Sequence, residues 1–204
     1  SMNFSELRTA DNFLSWGWKS RKEYLSRISP FGYSLDRKFL PSQNKIFLIL
    51  LKGSGNRSSL SCRYFEYIKE IKRVKMIIDI ISSNTNWQII LKFHNNMNRD
   101  INYKDLYDYK NNKNLNLKID DSGSDISKYS GKIGCFIFSY DSTGILEALS
   151  FGVPVMAVFE TWPERLFNDF EKDFLKLKKA AIIHYKVSDF ERHVKKIKNN
   201  IFKW

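Results

Sequence analysis

The chain has 204 residues, of which 43% are hydrophobic and 15% aromatic. A chain of this size and composition can bury a true core, which excludes wholesale disorder, and it suits one α/β domain with at most a short appendage. Because 34 Lys and Arg residues exceed 22 Asp and Glu residues, for a net charge of +12, we expect an anionic partner: a nucleotide, a nucleic acid or an acidic membrane face.

Residues 1–45 show no sustained hydrophobic period, and we interpret them as an irregular N-terminal appendage. Two aromatic groups within them, Trp16-Gly17-Trp18 and Pro30-Phe31-Gly32-Tyr33, would pack this appendage on the core. From residue 46 onward, apolar runs of strand length alternate with helical patterns, so residues 46–204 are predicted to form the main domain.

Within the main domain, the predicted strands are Ile46–Leu51, Trp87–Phe93, Leu115–Ile119, Ile133–Ser139, Val153–Phe159 and Ala181–His184. The predicted helices are Tyr64–Ile81, Ser142–Phe151 and Pro163–Lys179, with shorter helical segments around Tyr103–Tyr109 and Asp125–Ser130. Gly152 and Pro154 mark the end of the second helix. Continuous apolar strands that alternate with helices are typical of an α/β fold with a doubly wound, mostly parallel, Rossmann-like sheet.

The last stretch of the chain repeats apolar residues on one helical face, and lysines occupy other positions. The apolar residues are Val187, Phe190, Val194, Ile197, Ile201 and Trp204. Two interpretations stay open: a terminal helix that packs on the sheet, and a basic amphipathic helix that touches an anionic bilayer.

In such a sheet, ligands bind beyond the carboxyl ends of the strands, so the residues that follow each strand are the candidates for a site. The loop after the first strand contains Gly53, Ser54, Gly55 and Arg57, which would allow close backbone approach and attract an anion. It matches neither the dinucleotide nor the P-loop fingerprint, and a plain flexible turn explains it equally well.

Lys92 and His94 end the second predicted strand, and their side chains point to the same face. A cation and an imidazole at this position could hold a phosphate or protonate a leaving group. A hydrogen-bonded structural histidine is the alternative.

The strongest local signal is Ser139–Gly144, which runs from the fourth strand into a helix. Free N–H groups and the dipole at a helix start favour a phosphate, and Ser142 and Thr143 add hydroxyl donors. Simple N-capping by Asp141 or Ser142 explains the same residues without a ligand. One turn onward, Glu147 lies on an otherwise apolar helix, where it is either exposed or holds a pair of hydroxyls such as those of a ribose.

Cys62 and Cys135 are far apart and form no CxxC pair or Cys/His zinc spacing, so we expect reduced, buried thiols. The chain contains no apolar run of about 18 residues and does not open with a signal-peptide pattern. We therefore expect a cytoplasmic protein.

Three segments taken together resemble the donor-binding half of a GT-B glycosyltransferase, in particular transferases of bacterial surface-carbohydrate loci. They are Leu91-Lys92-Phe93-His94, Asp125-Ile126-Ser127-Lys128-Tyr129, and residues 139–155, which fit a Ser/Thr-x-x-x-Glu-x-Leu-x-x-x-x-Pro pattern. The CDP-glycerol glycerophosphotransferases share a similar layout. The resemblance covers about residues 12–160.

This resemblance implies a nucleotide-activated sugar donor and a carbohydrate or lipid-linked acceptor, used in the synthesis of bacterial cell-surface polysaccharide. By this resemblance, Ser142, Thr143 and Gly144 bind the donor phosphates, and Glu147 binds the ribose hydroxyls. Lys92 and His94 assist departure of the nucleotide. The loop that closes near the phosphates contains Gly53, Ser54, Gly55 and Arg57. It implies no cofactor and no metal, because fixed cations and helix amides stabilise the departing phosphate. The sequence has no DxD motif either.

The chain departs from these families in two ways. Asn95 stands where the glycerophosphotransferase pattern has Pro, and the chain has room for only one of the two domains of a GT-B enzyme. A second domain or subunit would then complete the site. The alternatives are a CDP-alditol phosphotransferase, a non-catalytic nucleotide-binding module and a nucleic-acid-binding protein. The last is disfavoured because the lysines are spread along the chain and no RRM, KH or helix-turn-helix pattern occurs, so we expect no nucleic-acid partner.

Overall fold

A computed structural model describes residues 13–15, 28–30, 46–50, 60–93, 104–113, 115–140, 144–159 and 168–199. The chain divides into two compact units, Ser1–Lys38 and Phe39–Trp204. The predicted boundary between residues 45 and 46 stays a prediction.

The first unit contains two short strands, β1 (Phe13–Ser15) and β2 (Ile28–Pro30), which pair in parallel. Phe13 lies opposite Ile28 in the register. The sequence predicted an irregular segment here, because a strand of three residues is too short to show a hydrophobic alternation.

The second unit is built on a parallel sheet of six strands, in the order β5-β4-β3-β6-β7-β8. Its strands are β3 (Ile46–Leu50), β4 (Gln88–Lys92), β5 (Leu117–Asp120), β6 (Cys135–Phe138), β7 (Val155–Val158) and β8 (Ile183–His184). Its helices are α1 (Leu60–Asn84), α2 (Lys104–Lys113), α3 (Gly144–Ser150), α4 (Asn168–Lys179) and α5 (Val187–Ile197), with a 3₁₀ turn at Ile126–Tyr129. The α/β class and the parallel sheet are confirmed, and the order is consistent with a Rossmann-like fold.

Strands β6 and β7 are buried along their whole length, because each of their faces packs on a separate core. Successive side chains of a strand point to opposite faces, so Cys135 and Ile137 enter the first core while Phe136 and Phe138 enter the second. The first core also contains Ile77, Ile78, Ile81, Leu91, Leu106, Met156, Phe190 and Val194. The second also contains Ala148, Phe151, Val155, Ala157 and Ile183, with Phe174 and Leu177 packed against it.

Helices α1 and α5 both contribute side chains to the first core, and they pack on each other. Phe190, Val194 and Ile197 of α5 are at most 1% exposed. Packing of the last helix on the protein is therefore confirmed for these three side chains, whereas Ile201 and Trp204 lie outside the described residues. Among the helices that the structure describes, none is both long and apolar enough to cross a membrane.

Two helices of the second core end on residues with positive φ. Gly152, at φ 69°, ends α3 as predicted, and its N–H donates to the Leu149 carbonyl at 3.1 Å. Ala181, at φ 56°, ends α4, and its N–H donates to the Lys178 carbonyl at 3.0 Å. A side chain in this left-handed region costs about 1–2 kcal/mol, so α4 ends under local strain that glycine would relieve.

We expect Ala181→Gly to raise the free energy of unfolding by roughly 0.5–1 kcal/mol, since the strain relieved exceeds the entropy that glycine loses on folding. Urea unfolding of the full chain measures the change. The matched control is Gly152→Ala, which introduces the same strain at the end of α3 and should lower the free energy of unfolding by about 1 kcal/mol. A destabilised Ala181→Gly variant would contradict this account of the α4 end.

Candidate functional site

The sheet reverses its order between β3 and β6, which are neighbours although α1, β4, α2 and β5 separate them in the chain. Their carboxyl ends, Leu50 and Phe138, lie opposite each other in the register. Helices leave to opposite sides at such a reversal, and this opens the crevice in which open α/β sheets bind ligands. The residues that follow β6 therefore lie at the expected place for a site.

Ser139 follows β6 directly and is fully buried, at 0% exposed. Its Oγ donates a hydrogen bond to Oε1 of Glu70, and Nη1 of Arg73 donates one to its carbonyl oxygen. Glu70 and Arg73 lie three residues apart on α1 and form an ion pair of 3.3 Å. These three residues, the Ser139 cluster, fix the start of the β6–α3 connection against α1.

Lys92, the last residue of β4, is only 4% exposed. Its Nζ donates to the Phe93 carbonyl oxygen at 3.3 Å and lies 6.0 Å from the centre of the Tyr129 ring. A buried ammonium has lost most of its hydration, so it interacts strongly with any charge brought near it.

Carboxylates on two neighbouring elements act on Lys92. Asp120 ends β5 and lies opposite Lys92 in the register, and Asp125 immediately precedes the 3₁₀ turn. Burial lowers the pKa of Lys92, and the repulsion from Lys128 lowers it further, while Asp120 and Asp125 raise it. The net pKa is lowered, so the two carboxylates only partly compensate the buried charge.

Glu147 lies on the first turn of α3 and is half-buried. Burial raises its pKa, and repulsion from Asp125 raises it further. Asp125 therefore lies within electrostatic reach of both Lys92 and Glu147, and α3 packs on the 3₁₀ turn. These groups form what we call the Lys92 cluster, which consists of Lys92, Asp120, Asp125, Tyr129 and Glu147.

The described residues include three of the predicted site residues: Lys92, Glu147 and Gly144, which begins α3. The remaining ones lie outside the described residues, so their roles stay predictions; they are Gly53, Ser54, Gly55, Arg57, His94, Ser142 and Thr143. The sequence did not single out Glu70 and Arg73 as site residues. Their only signal is a pair of opposite charges three residues apart on a helix whose neighbouring positions, Ile71 and Val74, are buried.

Among the described residues, no group of three or more His, Cys, Asp or Glu side chains converges to hold a metal ion. Cys135 is a free thiol, fully buried in β6, and burial raises its pKa well above the ordinary value. This agrees with the prediction of a reduced, buried thiol at Cys135.

We expect Glu70→Ala to lower the free energy of unfolding by about 2 kcal/mol, because it removes the half-buried ion pair with Arg73 and the hydrogen bond that Glu70 accepts from Ser139. Urea unfolding measures the loss. Glu191→Ala is the matched control: Glu191 pairs with Lys195 at 2.6 Å on α5, but both side chains are at least 40% exposed, so its loss should be below about 1 kcal/mol. Equal losses in the two variants would contradict a structural role for the Ser139 cluster.

We expect Lys92→Met to raise the free energy of unfolding at pH 7 by about 1 kcal/mol, because it removes a poorly compensated buried charge. The pKa of Lys92 lies below its ordinary value of 10.5, so the unfolded chain binds more protons between the two values. The stability of the wild type therefore rises with pH across that window, and the advantage of the variant shrinks.

Urea unfolding at pH 7 and at pH 10 checks both parts of this prediction. Lys118→Met, on the exposed side of β5, is the control and should change the free energy of unfolding by less than about 0.5 kcal/mol. A Lys92→Met variant that is less stable than the wild type at pH 7 would show that Asp120 and Asp125 compensate the charge fully.

The model of the LIC12162 family transferases matches residues 1–204, the whole of the chain. No curated protein matches it significantly. The chain therefore belongs to the LIC12162 transferase family, which supports a transferase activity.

Proposed function

We propose that this LIC12162 family transferase moves a sugar from a nucleotide-activated donor during the synthesis of bacterial cell-surface polysaccharide. In this proposal the second unit is a GT-B-type donor-binding domain. The observation that carries it is that Asp125, next to the 3₁₀ turn on which α3 packs, acts electrostatically on both Lys92 and Glu147, which groups a buried cation with several carboxylates near the carboxyl edge of the sheet.

The composition of the Lys92 cluster suits the two chemical parts of a nucleotide sugar. The Lys92 ammonium donates hydrogen bonds and compensates the charge of a diphosphate, and its burial strengthens that interaction. Carboxylates such as Glu147 accept hydrogen bonds from a pair of hydroxyls, which ribose and sugar rings both carry. A nucleotide without hydroxyls, or a sugar without phosphate, would use only half of these groups.

The proposed chemistry is electrostatic stabilisation of the departing nucleoside diphosphate. When the bond between the sugar and the diphosphate breaks, negative charge grows on the phosphate oxygens, and Lys92 with His94 would neutralise it. Ser142, Thr143 and Gly144 would bind the phosphates from the β6–α3 connection. The Ser139 cluster supports this arrangement, because it anchors the start of that connection to α1.

The proposal extends to the partners and the location of the enzyme. The acceptor would be a carbohydrate or a lipid-linked carbohydrate, bound with the help of a second domain or subunit. The reaction would take place in the cytoplasm, with contact at the inner face of the membrane. The excess of 34 Lys and Arg residues over 22 Asp and Glu residues supports such a contact.

The test begins with the thermal unfolding of the full chain in the presence of UDP, GDP, CDP and CMP. A nucleotide at about 100 times its Kd adds about 2.7 kcal/mol to the stability of the folded state, which is a readily measured rise in Tm. Donor hydrolysis and sugar transfer are then measured with the sugar derivative of the nucleotide that stabilises the protein. Selective stabilisation by cytidine nucleotides would point to CDP-alditol or CMP-sugar chemistry, and no stabilisation by any of the four would overturn donor binding.

We expect Glu147→Gln to weaken binding of the stabilising nucleotide by about tenfold, since the amide loses the charge-assisted hydrogen bonds to the ribose hydroxyls. The fold should be intact, because the amide has the size of the carboxyl group and the side chain is only half-buried. Isothermal titration calorimetry measures the affinity. The control is Glu191→Gln on α5, which should bind as the wild type does, and an unchanged affinity in Glu147→Gln would remove the ribose assignment.

A further inference from the structure

A pocket lies along β8, the strand at the opposite end of the sheet from β5. It has a volume of about 180 Å³ and is bounded by the end of α4, by β8 and by α5. Four strand spacings separate β8 from β4, which places the pocket about 19 Å across the sheet from Lys92. Its charged and titratable groups are Lys178, His184, Tyr185, Asp189, Arg192, His193 and Lys196.

His184 is the buried polar group of this pocket, at 4% exposed. One ring nitrogen of His184 forms a hydrogen bond with the Ala181 backbone. The ring packs on the rings of Phe190 and His193, at centroid distances of 5.6 and 5.5 Å. Its Nε2 atom has no hydrogen-bond partner among the described residues. A buried nitrogen in this state costs about 1–3 kcal/mol, so a partner that hydrogen-bonds to Nε2 would stabilise the folded protein.

The surrounding charges select the kind of ligand. Three cations, Lys178, Arg192 and Lys196, line the pocket together with one carboxylate, Asp189, which pairs with Arg192. The cationic excess repels a metal ion, and it attracts an anion. Tyr185 completes the wall, with the Lys178 ammonium 5.8 Å from the centre of its ring.

The two histidines are neutral at pH 7. Burial lowers the pKa of His184 to about 4, and repulsion from His193 adds to this, while the Ala181 backbone and Asp189 act in the opposite direction. Burial also lowers the pKa of His193, and Lys196 lowers it further. The hydrogen bond to the Ala181 backbone raises the pKa of His184, so the imidazole ring is the donor in that bond. The neutral ring therefore carries a lone pair on its other nitrogen, Nε2.

We propose that this pocket binds the phosphate group of a phosphomonoester, in a site separate from the donor site. The phosphate oxygens accept hydrogen bonds from Lys178, Arg192 and Lys196, and one proton is shared between a phosphate oxygen and Nε2 of His184. A phosphomonoester titrates near pH 6, so it brings or shares this proton at a modest cost. The volume of 180 Å³ exceeds the roughly 150 Å³ of a protein cavity that holds a benzene molecule, which is enough for a phosphate group.

Sulfate distinguishes this site from a general anion site, because it has the charge of a phosphate dianion but carries no proton to share near neutral pH. The full chain is titrated calorimetrically with glycerol 3-phosphate, inorganic phosphate and sodium sulfate at pH 6.5 and at pH 8. We expect both phosphates to bind at least tenfold more tightly than sulfate at pH 6.5. The affinity of glycerol 3-phosphate should fall between pH 6.5 and pH 8, because binding then requires uptake of a proton.

The two phosphate arms identify the source of the phosphate group. If glycerol 3-phosphate binds more tightly than inorganic phosphate, the ligand is an ester, as proposed. If inorganic phosphate binds equally or more tightly, the ligand is the free ion, and the assignment to an ester is overturned. Either result supports a phosphate site. Equal affinity for sulfate and phosphate overturns the role of His184. No binding of either phosphate at concentrations of about 10 mM overturns the site itself.

Two lysine variants locate the site on the protein. Lys178→Gln should weaken phosphate binding by about tenfold, because it removes one of the three cations of the pocket. Lys179→Gln removes the same charge from the next residue of α4, which does not line the pocket, and should leave the affinity unchanged. Both side chains are exposed, so both variants should fold, and equal affinities in the two variants would overturn the location.

Discussion

Double burial of the central strands is the constraint on which the second unit depends. Both faces of β6 and β7 lie in apolar cores, and all eight of their residues are buried. A polar side chain along these strands would enter one of the two cores without a partner, at a cost of several kcal/mol. Polar chemistry is therefore displaced to the ends of the strands.

Three of the four buried polar residues that the structure describes follow this rule; the fourth, Ser130, ends the 3₁₀ turn and donates its Oγ hydrogen to the Ser127 carbonyl. Lys92 ends β4, Ser139 follows β6 and His184 ends β8, and each is at most 4% exposed. Each has polar neighbours from a different element: the carboxylates near the 3₁₀ turn, the Glu70–Arg73 pair on α1, and the cations of α4 and α5. The carboxyl edge of the sheet thus carries three differently charged environments, which explains how one edge can hold a hydroxyl-rich, phosphorylated donor and a second phosphate as proposed.

The sequence predicted the strands of the second unit well because the central ones are uninterrupted apolar runs, as in Ile46–Leu50 and Cys135–Phe138. The same reasoning placed Lys92, at the end of one strand, and Glu147, on the helix after another, at one edge of the sheet, and their joint role in a donor site stays a prediction. The sequence analysis underestimated the length of α2, which spans Lys104–Lys113, because that helix is mostly polar. Tyr109 and Lys113 bind it to Asp79 of α1, a contact that the local sequence does not reveal. The Ser139 cluster and the pocket at β8 depend on contacts between distant segments, such as Glu70 with Ser139, and no local pattern carries that information.

The shortness of β8 has a consequence for encounters between copies of the protein. A sheet edge with free backbone groups is a template on which a second sheet can continue, and long flat edges lead to aggregation. Strand β8 offers only two residues, Ile183 and His184, at its end of the sheet, and cations border it on both flanking helices. Two molecules that approach through this edge repel each other electrostatically, and they can form few backbone hydrogen bonds between their sheets. The short strand therefore disfavours sheet-to-sheet association on this side at high protein concentration.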